Sequence, residues 1–96
     1  MEISILDAAE AELDEAVEYY NSQLPGLGDE FLLEFIKSTE RIKNYPHAWH
    51  PFSKTTRRCR LNRFPYAIIY REESERILVV PVASLHRKPA YWKERI

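Results

Sequence analysis

Two groups of side chains in the second half of this chain have the types and spacing for chemistry on a phosphodiester. Arg58 and Arg60 are separated by one residue, so in a β-strand they share one face. His86, Arg87 and Tyr91 follow close together near the end of the last apolar segment. Cleavage of RNA through its own 2′-hydroxyl requires a base, an acid for the leaving oxygen, and cations that stabilise the developing charge. These five residues are the candidate catalytic residues for such a reaction.

The same part of the chain is also suited to binding without catalysis. In that interpretation the target-binding residues are Arg58, Arg60, Arg87, Lys88 and Trp92. Two simpler alternatives stay open. Basic side chains commonly protect an exposed strand edge, and a histidine at a strand end is often only a solvated residue.

The net charge of −1 conceals an uneven distribution of charge along the chain, and that distribution supports a basic binding surface. Residues 1–40 contain eleven Asp and Glu against one base, Lys37, whereas residues 41–96 contain thirteen Lys and Arg against four Glu. Clustered basic residues attract polyanions, of which nucleic acid is the commonest. The alternative is a mixed surface on which the two halves neutralise each other.

Neither the single cysteine nor the histidine pair predicts a metal or redox site. Cys59 alternates with Arg58 and Arg60 and is expected to be an inward-facing strand residue. His47 and His50 are flanked by prolines, and no further Cys or His lies nearby in sequence to complete a tetrahedral site. We therefore expect no metal and no cofactor.

The length of 96 residues predicts one domain over residues 1–96. No segment approaches the ~20 apolar residues of a membrane span. The N-terminus MEISILDAAEAE has neither a basic start nor the apolar run of a signal peptide. A cytoplasmic protein without membrane contact is expected.

Hydrophobic periodicity predicts a strand followed by a helical hairpin in the first half. Ile3 and Ile5 alternate with polar residues, which is typical of a short strand. Asp7 is the expected N-cap of a helix that ends near Gln23. The sequence LPGLGDE forms the turn. A second helix begins near Gly28 or Asp29 and ends before Pro46, with its apolar stripe at Phe31, Leu32, Phe35, Ile36, Thr39 and Ile42.

The second half predicts a loop and then three strands. The loop runs from Tyr45 to Thr56, and Trp49 and Phe52 are expected to pack from it onto the sheet. Strands are predicted around residues 58–61, 66–70 and 77–85. Pro81 lacks an N–H, so a bulge or an unpaired edge is expected there. Residues 89–96 are expected to form a final helical turn. The fold class is α+β, in the order β-α-α-β-β-β.

Five segments together resemble the RelE/ParE toxin superfamily. In chain order they are AELDEAVEYY, LPGLGDEF, NYPHAWHP, RRCRLNRFPYAIIYR and HRKPAYWKER. The FPY triplet at Phe64 to Tyr66 is more similar to the ParE side, often called plasmid stabilisation proteins. The resemblance implies a helical hairpin packed on a curved antiparallel sheet, and it implies the toxin of a type II toxin–antitoxin pair. The partner would then be an antitoxin encoded by a neighbouring gene, folding along a groove beside the hairpin or the sheet.

The resemblance leaves the target open, because one branch cuts messages on the ribosome and another binds and inhibits DNA gyrase. In the ribonuclease branch, basic residues match Arg58, Arg60 and Arg87, and a functional tyrosine lies near Tyr91. That branch also has an arginine where this chain has Ala67, and this departure favours a binding inhibitor of gyrase. Relatives on the ParE side often carry a histidine where this chain has Ser84, so His86 is displaced. An inactive relative that only binds antitoxin, and a toxin dimer or toxin–antitoxin hetero-oligomer, also stay open.

Overall fold

Two helices and five strands make up the computed structural model, which describes residues 2–86. In chain order the elements are β1 (Glu2–Ile5), α1 (Asp7–Gln23), α2 (Leu27–Asn44), β2 (His50–Pro51), β3 (Arg57–Arg60), β4 (Tyr66–Glu72) and β5 (Arg76–Ser84). The predicted α+β class is confirmed. Within residues 2–86, neither helix is long and apolar enough to cross a membrane. The predicted final helical turn lies outside the described residues.

The first helix begins one residue earlier than the predicted cap implies. Leu6, not Asp7, is the cap residue, and no side chain caps this helix end. Leu6 itself is extended and continues the pairing of β1, since its backbone N–H donates to the carbonyl of Val79 at 3.0 Å, so the helix begins directly after it. Asp7 is the first helical residue, where its carboxylate lies near the positive end of the helix dipole.

The turn between the helices depends on both glycines. Gly26 has φ of 90° and caps α2, a left-handed conformation that glycine adopts without steric cost. Gly28 lies where the helices touch, and its N–H donates to Asn21 Oδ1 at 2.8 Å. The core-facing residues of α2 include Phe31, Phe35, Ser38, Thr39 and Ile42. The prediction for Ile36 was wrong, because it points to solvent and is 48% exposed.

The sheet has the strand order β1-β5-β4-β3-β2. The predicted antiparallel pairing is confirmed for β2 to β5, whereas β1 is parallel to β5, with Ile3 opposite Ile77. No hairpin connects β1 to β5, so the chain direction does not force antiparallel pairing there. The predicted loop also contains the two-residue strand β2, in which His50 pairs with Arg58.

The irregularity expected at Pro81 is confirmed. Pairing between β4 and β5 passes from Ile68 opposite Val82 to Tyr70 opposite Val79, so two residues of β5 face one residue of β4. This two-against-one arrangement is a β-bulge, which accommodates a residue that cannot donate a ladder hydrogen bond.

One face of the sheet packs against the helices. The core includes Ala9, Leu13 and Ala16 of α1, Phe31, Phe35 and Ile42 of α2, and Cys59, Ile68, Tyr70, Ile77, Val79 and Val82 of the sheet. Trp49 packs on this core from the loop, as predicted, whereas Phe52 is 38% exposed. Arg57 holds the loop in place, because its Nη1 donates to the Trp49 carbonyl at 2.8 Å.

Candidate functional site

Arg58 and Arg60 lie on the sheet face opposite the helices. Cys59, between them, is fully buried in the core, and side chains alternate along a strand. Their cross-strand partners on β4 are Ile69 and Ala67. The two guanidinium groups therefore project from one strand at positions separated by about 7 Å.

The described residues leave both arginines without a neutralising carboxylate. Within residues 2–86, neither Arg58 nor Arg60 has a carboxylate at ion-pair distance. The Arg58 guanidinium lies 5.8 Å from the centre of the Phe52 ring, a contact that orients it without neutralising its charge. Arg60 is exposed. Two uncompensated cations on one strand are a suitable contact for phosphate or carboxylate groups.

Ala67 interrupts this basic surface. It pairs with Arg60 on β3 and with Ala83 on β5, and only 1% of its surface is exposed. The neighbouring Ile69 on the same face is equally buried. Ala67 is thus part of a small, buried apolar patch beside Arg60.

The structure does not connect His86 to the two arginines. His86 is exposed after the end of β5, where its backbone N–H donates to Ser84 Oγ at 3.3 Å. Its imidazole has no hydrogen-bond or ion-pair partner among residues 2–86. The remaining predicted site residues, Arg87, Lys88, Tyr91 and Trp92, lie outside the described residues.

Cys59 is an inward-facing strand residue, as predicted. Burial raises the pKa of its thiol to about 11, although the nearby Arg41 partly opposes this change. A thiol with such a pKa is protonated at neutral pH and is a poor nucleophile.

The two histidines of the loop, His47 and His50, lie in different environments. His47 Nε2 lies 3.3 Å from Glu72 Oε1, whereas His50 is exposed on β2. In the part of the chain that the structure describes, no three metal-ligating side chains come together.

A second basic cluster was not identified from the sequence. Lys37 and Arg41 occupy one face of α2, beside a turn of the sheet that contains Asn62 and Arg63. Lys37 was counted only as the single base of an acidic segment. The available signal was its spacing of four residues from Arg41, which places both side chains on one helix face.

Comparison with known proteins identifies the family. The family model for the ParE toxin of the type II toxin–antitoxin system, parDE, matches residues 3–89. A solved structure described as the chromosomal ParDE TA system from P. aeruginosa is similar to the chain with a TM-score of 0.81 and 17% identity, over 90% of this chain and 97% of that chain. At this identity the likeness shows the fold. No curated protein matches the sequence.

The match extends from β1 through all the described elements and agrees with the resemblance that the five segments indicate. Membership of the family also implies a cognate antitoxin as partner. The chain belongs to the ParE family, and it is the toxin of a type II toxin–antitoxin system.

Proposed function

We propose that this toxin acts by binding and inhibiting an essential cellular target such as DNA gyrase. Arg58 and Arg60 form part of the contact surface, and Arg87, Lys88 and Trp92 extend it. The observation that carries the proposal is the pair of guanidinium groups on one sheet face, next to the buried Ala67, that no carboxylate of residues 2–86 neutralises. Such a surface attracts an anionic partner. It has two cationic side chains, however, which is fewer than the resemblance implies for a cleavage site of the ribonuclease branch.

Two titratable groups of the core, Cys59 and Tyr70, are unsuited to act as catalytic residues. General acid–base catalysis is most efficient when a group near the reacting atoms has a pKa close to the working pH. Burial raises the pKa of Cys59 to about 11 and that of Tyr70 to about 12. Neither group is adapted to proton transfer at neutral pH.

The alternative function is cleavage of messages on the ribosome. Arg58 and Arg60 would then hold the phosphate, with Arg87 as a further clamp and His86 or Tyr91 in proton transfer. This alternative is favoured by the shared face of the two arginines, because side chains that hold one phosphate must lie close together. A gyrase inhibitor and a ribosome-dependent nuclease both act in the cytoplasm, which is the location we propose for the toxin.

The test uses charge reversal on the sheet face. Arg58→Glu with Arg60→Glu is compared with Lys43→Glu, which changes a half-buried base on α2 that pairs with Glu40 at 3.9 Å. After controlled expression, growth arrest, messenger-RNA ends and DNA damage are recorded, and supercoiling by gyrase is measured with purified toxin. We expect arrest and gyrase inhibition by the natural chain and by the Lys43 variant, and neither effect from the double variant.

The alternatives give different results in the same experiment. Cut messages with undisturbed supercoiling at micromolar toxin would refute the gyrase proposal in favour of the ribonuclease. Normal growth at verified expression of the natural chain would instead identify an inactive relative that retains only antitoxin binding. Relief of arrest by the neighbouring antitoxin gene would identify the partner.

A further inference from the structure

A cleft of about 360 Å³ separates the middle of α2 from the turn that connects β3 to β4. Glu34 of α2 fixes the turn, since its carboxylate accepts the backbone N–H groups of Asn62 and Arg63. Glu30 adds an ion pair with Arg63 at 2.9 Å. These two acids thus hold one wall of the cleft in place, and both carboxylates are already bonded to the turn.

Lys37 and Arg41, which line the same cleft, differ from the two acids because they lack a partner of opposite charge among residues 2–86. No carboxylate among residues 2–86 lies within ion-pair distance of Lys37 or Arg41. The Arg41 guanidinium donates from Nη2 to Ser38 Oγ at 2.9 Å, but its Nε is buried and has no acceptor among residues 2–86. A partly buried guanidinium with an unused donor costs free energy until an acceptor is supplied.

Trp49 lies next to this guanidinium and has the same deficiency. The Arg41 guanidinium carbon is 6.0 Å from the centre of the Trp49 ring, and Trp49 Nε1 is also buried without an acceptor in the described part of the chain. Guanidinium and indole groups can only donate hydrogen bonds. The group that complements this corner must therefore supply acceptor oxygens, and a carboxylate does so with the matching charge.

Apolar surface borders the same basic residues. Leu33 lines the cleft and is 52% exposed, and Ile36, on the next turn of α2, is 48% exposed. Exposed leucine and isoleucine side chains beside unpaired bases suit a peptide that carries both apolar and acidic residues. A nucleic acid is less suited, because a row of phosphates offers no apolar side chain to cover Leu33 and Ile36.

We infer that this cleft is the docking site for an acidic, partly apolar segment of the cognate antitoxin. An Asp or Glu of that segment binds Arg41 and Lys37, and a neighbouring apolar side chain covers Leu33. The inference rests on the toxin–antitoxin partnership and is independent of the identity of the cellular target. It assigns the two functions to two surfaces. The antitoxin segment binds at α2 and neutralises the toxin, whereas the cellular target binds the sheet face of Arg58 and Arg60.

The experiment measures the affinity of the purified toxin for its antitoxin by titration. The variants are Lys37→Glu, Arg41→Gln and Leu33→Ser, and the matched control is Lys43→Glu on another side of the same helix. We expect each of the first three to weaken binding by about tenfold or more, as for charge pairs and apolar anchors at other interfaces. The control is expected to stay within about twofold.

Growth arrest in the absence of antitoxin shows that each variant is folded. Lys37 and Leu33 are both exposed, so these two changes test the proposal even if Arg41→Gln unfolds the chain. A reciprocal change of the antitoxin acid to Lys is expected to restore binding to Lys37→Glu. Unchanged affinity in Lys37→Glu and Leu33→Ser would overturn the proposal. Loss of single-stranded RNA binding with intact antitoxin binding would assign the cleft to nucleic acid instead and would also overturn it.

The two proposals fail in different ways. Charge reversal at Arg58 and Arg60 is expected to abolish growth arrest while antitoxin affinity stays unchanged. The cleft variants are expected to keep growth arrest and to escape neutralisation. If both sets of variants lose the same property, a single shared surface replaces the two that we propose.

Discussion

Glu12 Oε1 accepts the backbone N–H of Val82 at 3.1 Å, a contact that joins α1 to β5 across 70 residues of sequence. Val82 follows the bulge at Pro81, beyond the part of β5 that pairs with β1. A helix carboxylate here takes the position that a carbonyl of a longer β1 would otherwise occupy. The contact satisfies a backbone donor of a strand residue that is 1% exposed.

Removal of the Glu12 carboxylate should destabilise the fold through Val82. Glu12→Ala leaves a buried N–H without an acceptor, so the free energy of unfolding should fall by about 1–3 kcal/mol in urea titrations. Glu12→Gln keeps a carbonyl oxygen at the same reach and should cost less. The control is Glu15→Ala, an exposed residue on the same helix. Equal losses for the Ala variants of Glu12 and Glu15 would contradict this role.

The contact between the helices should depend on the absence of a side chain at Gly28. A Cβ atom at this position would lie 2.1 Å from the Val17 carbonyl oxygen and 2.6 Å from Asn21 Cγ. Backbone must therefore move, and Gly28→Ala should lower the free energy of unfolding by about 3 kcal/mol.

Gly26→Ala provides the comparison for that prediction. A Cβ at Gly26 meets nothing within 4 Å, so only the positive φ opposes it. The expected cost is about 1 kcal/mol. Thermal unfolding followed by circular dichroism measures both variants, and a larger effect at Gly26 than at Gly28 would show that the helices do not touch as described.

The Cys59 thiol should be almost unreactive in the folded protein. Burial raises its pKa from 9.0 to about 11, so at neutral pH roughly 100-fold less thiolate is present than for an ordinary cysteine. Alkylation of the native chain should therefore be slow and should accelerate when urea unfolds it. Rapid alkylation under native conditions, at the rate of the unfolded control, would disprove the buried placement.

The stability of the fold should decline in alkali because of Tyr70. Its hydroxyl donates to the Pro46 carbonyl at 2.6 Å, and burial raises its pKa from 10.0 to about 12, with Arg57 partly opposing the change. Between these values the unfolded chain holds fewer protons than the folded chain, so the free energy of unfolding falls as pH rises. The contribution is complete below pH 10 and is lost towards pH 12.

Tyr70→Phe isolates this effect. The variant loses one hydrogen bond, so its free energy of unfolding near neutral pH should be lower by about 1 kcal/mol. Its decline in alkali should be shallower than that of the natural chain, with the remaining slope in part due to Cys59. Urea titrations near neutral pH and at about pH 11 measure the two slopes. Parallel slopes would show that Tyr70 does not retain its proton in the folded state.

Local sequence patterns were sufficient for both helices, for the strands other than β2, and for one part of the site. The spacing of apolar residues predicted both helices, and alternation predicted the strands and the burial of Cys59 between Arg58 and Arg60. The missing N–H of Pro81 predicted a bulge or an unpaired edge, and the structure has the bulge. Each of these features depends on residues that are near one another in the chain, because backbone preference and side-chain periodicity are local properties.

Contacts between distant segments decided the remaining features, and the sequence did not reveal them. The parallel pairing of β1 with β5, the extension of β1 through Leu6, and the contact of Glu12 with Val82 all arise when separate elements pack on one core. The exposure of Ile36 has the same origin, since a helix buries only the stripe that its neighbours cover.

The two basic surfaces illustrate the same division. Arg58 and Arg60 were identified from the sequence because one strand holds both. Lys37 and Arg41 became a candidate site only when the turn with Asn62 and Arg63 was placed against α2, nearly 30 residues away along the chain. The sequence alone determined which side chains share an element, whereas the tertiary structure decided which charges were left without a partner, because the supply of partners depends on how the elements pack.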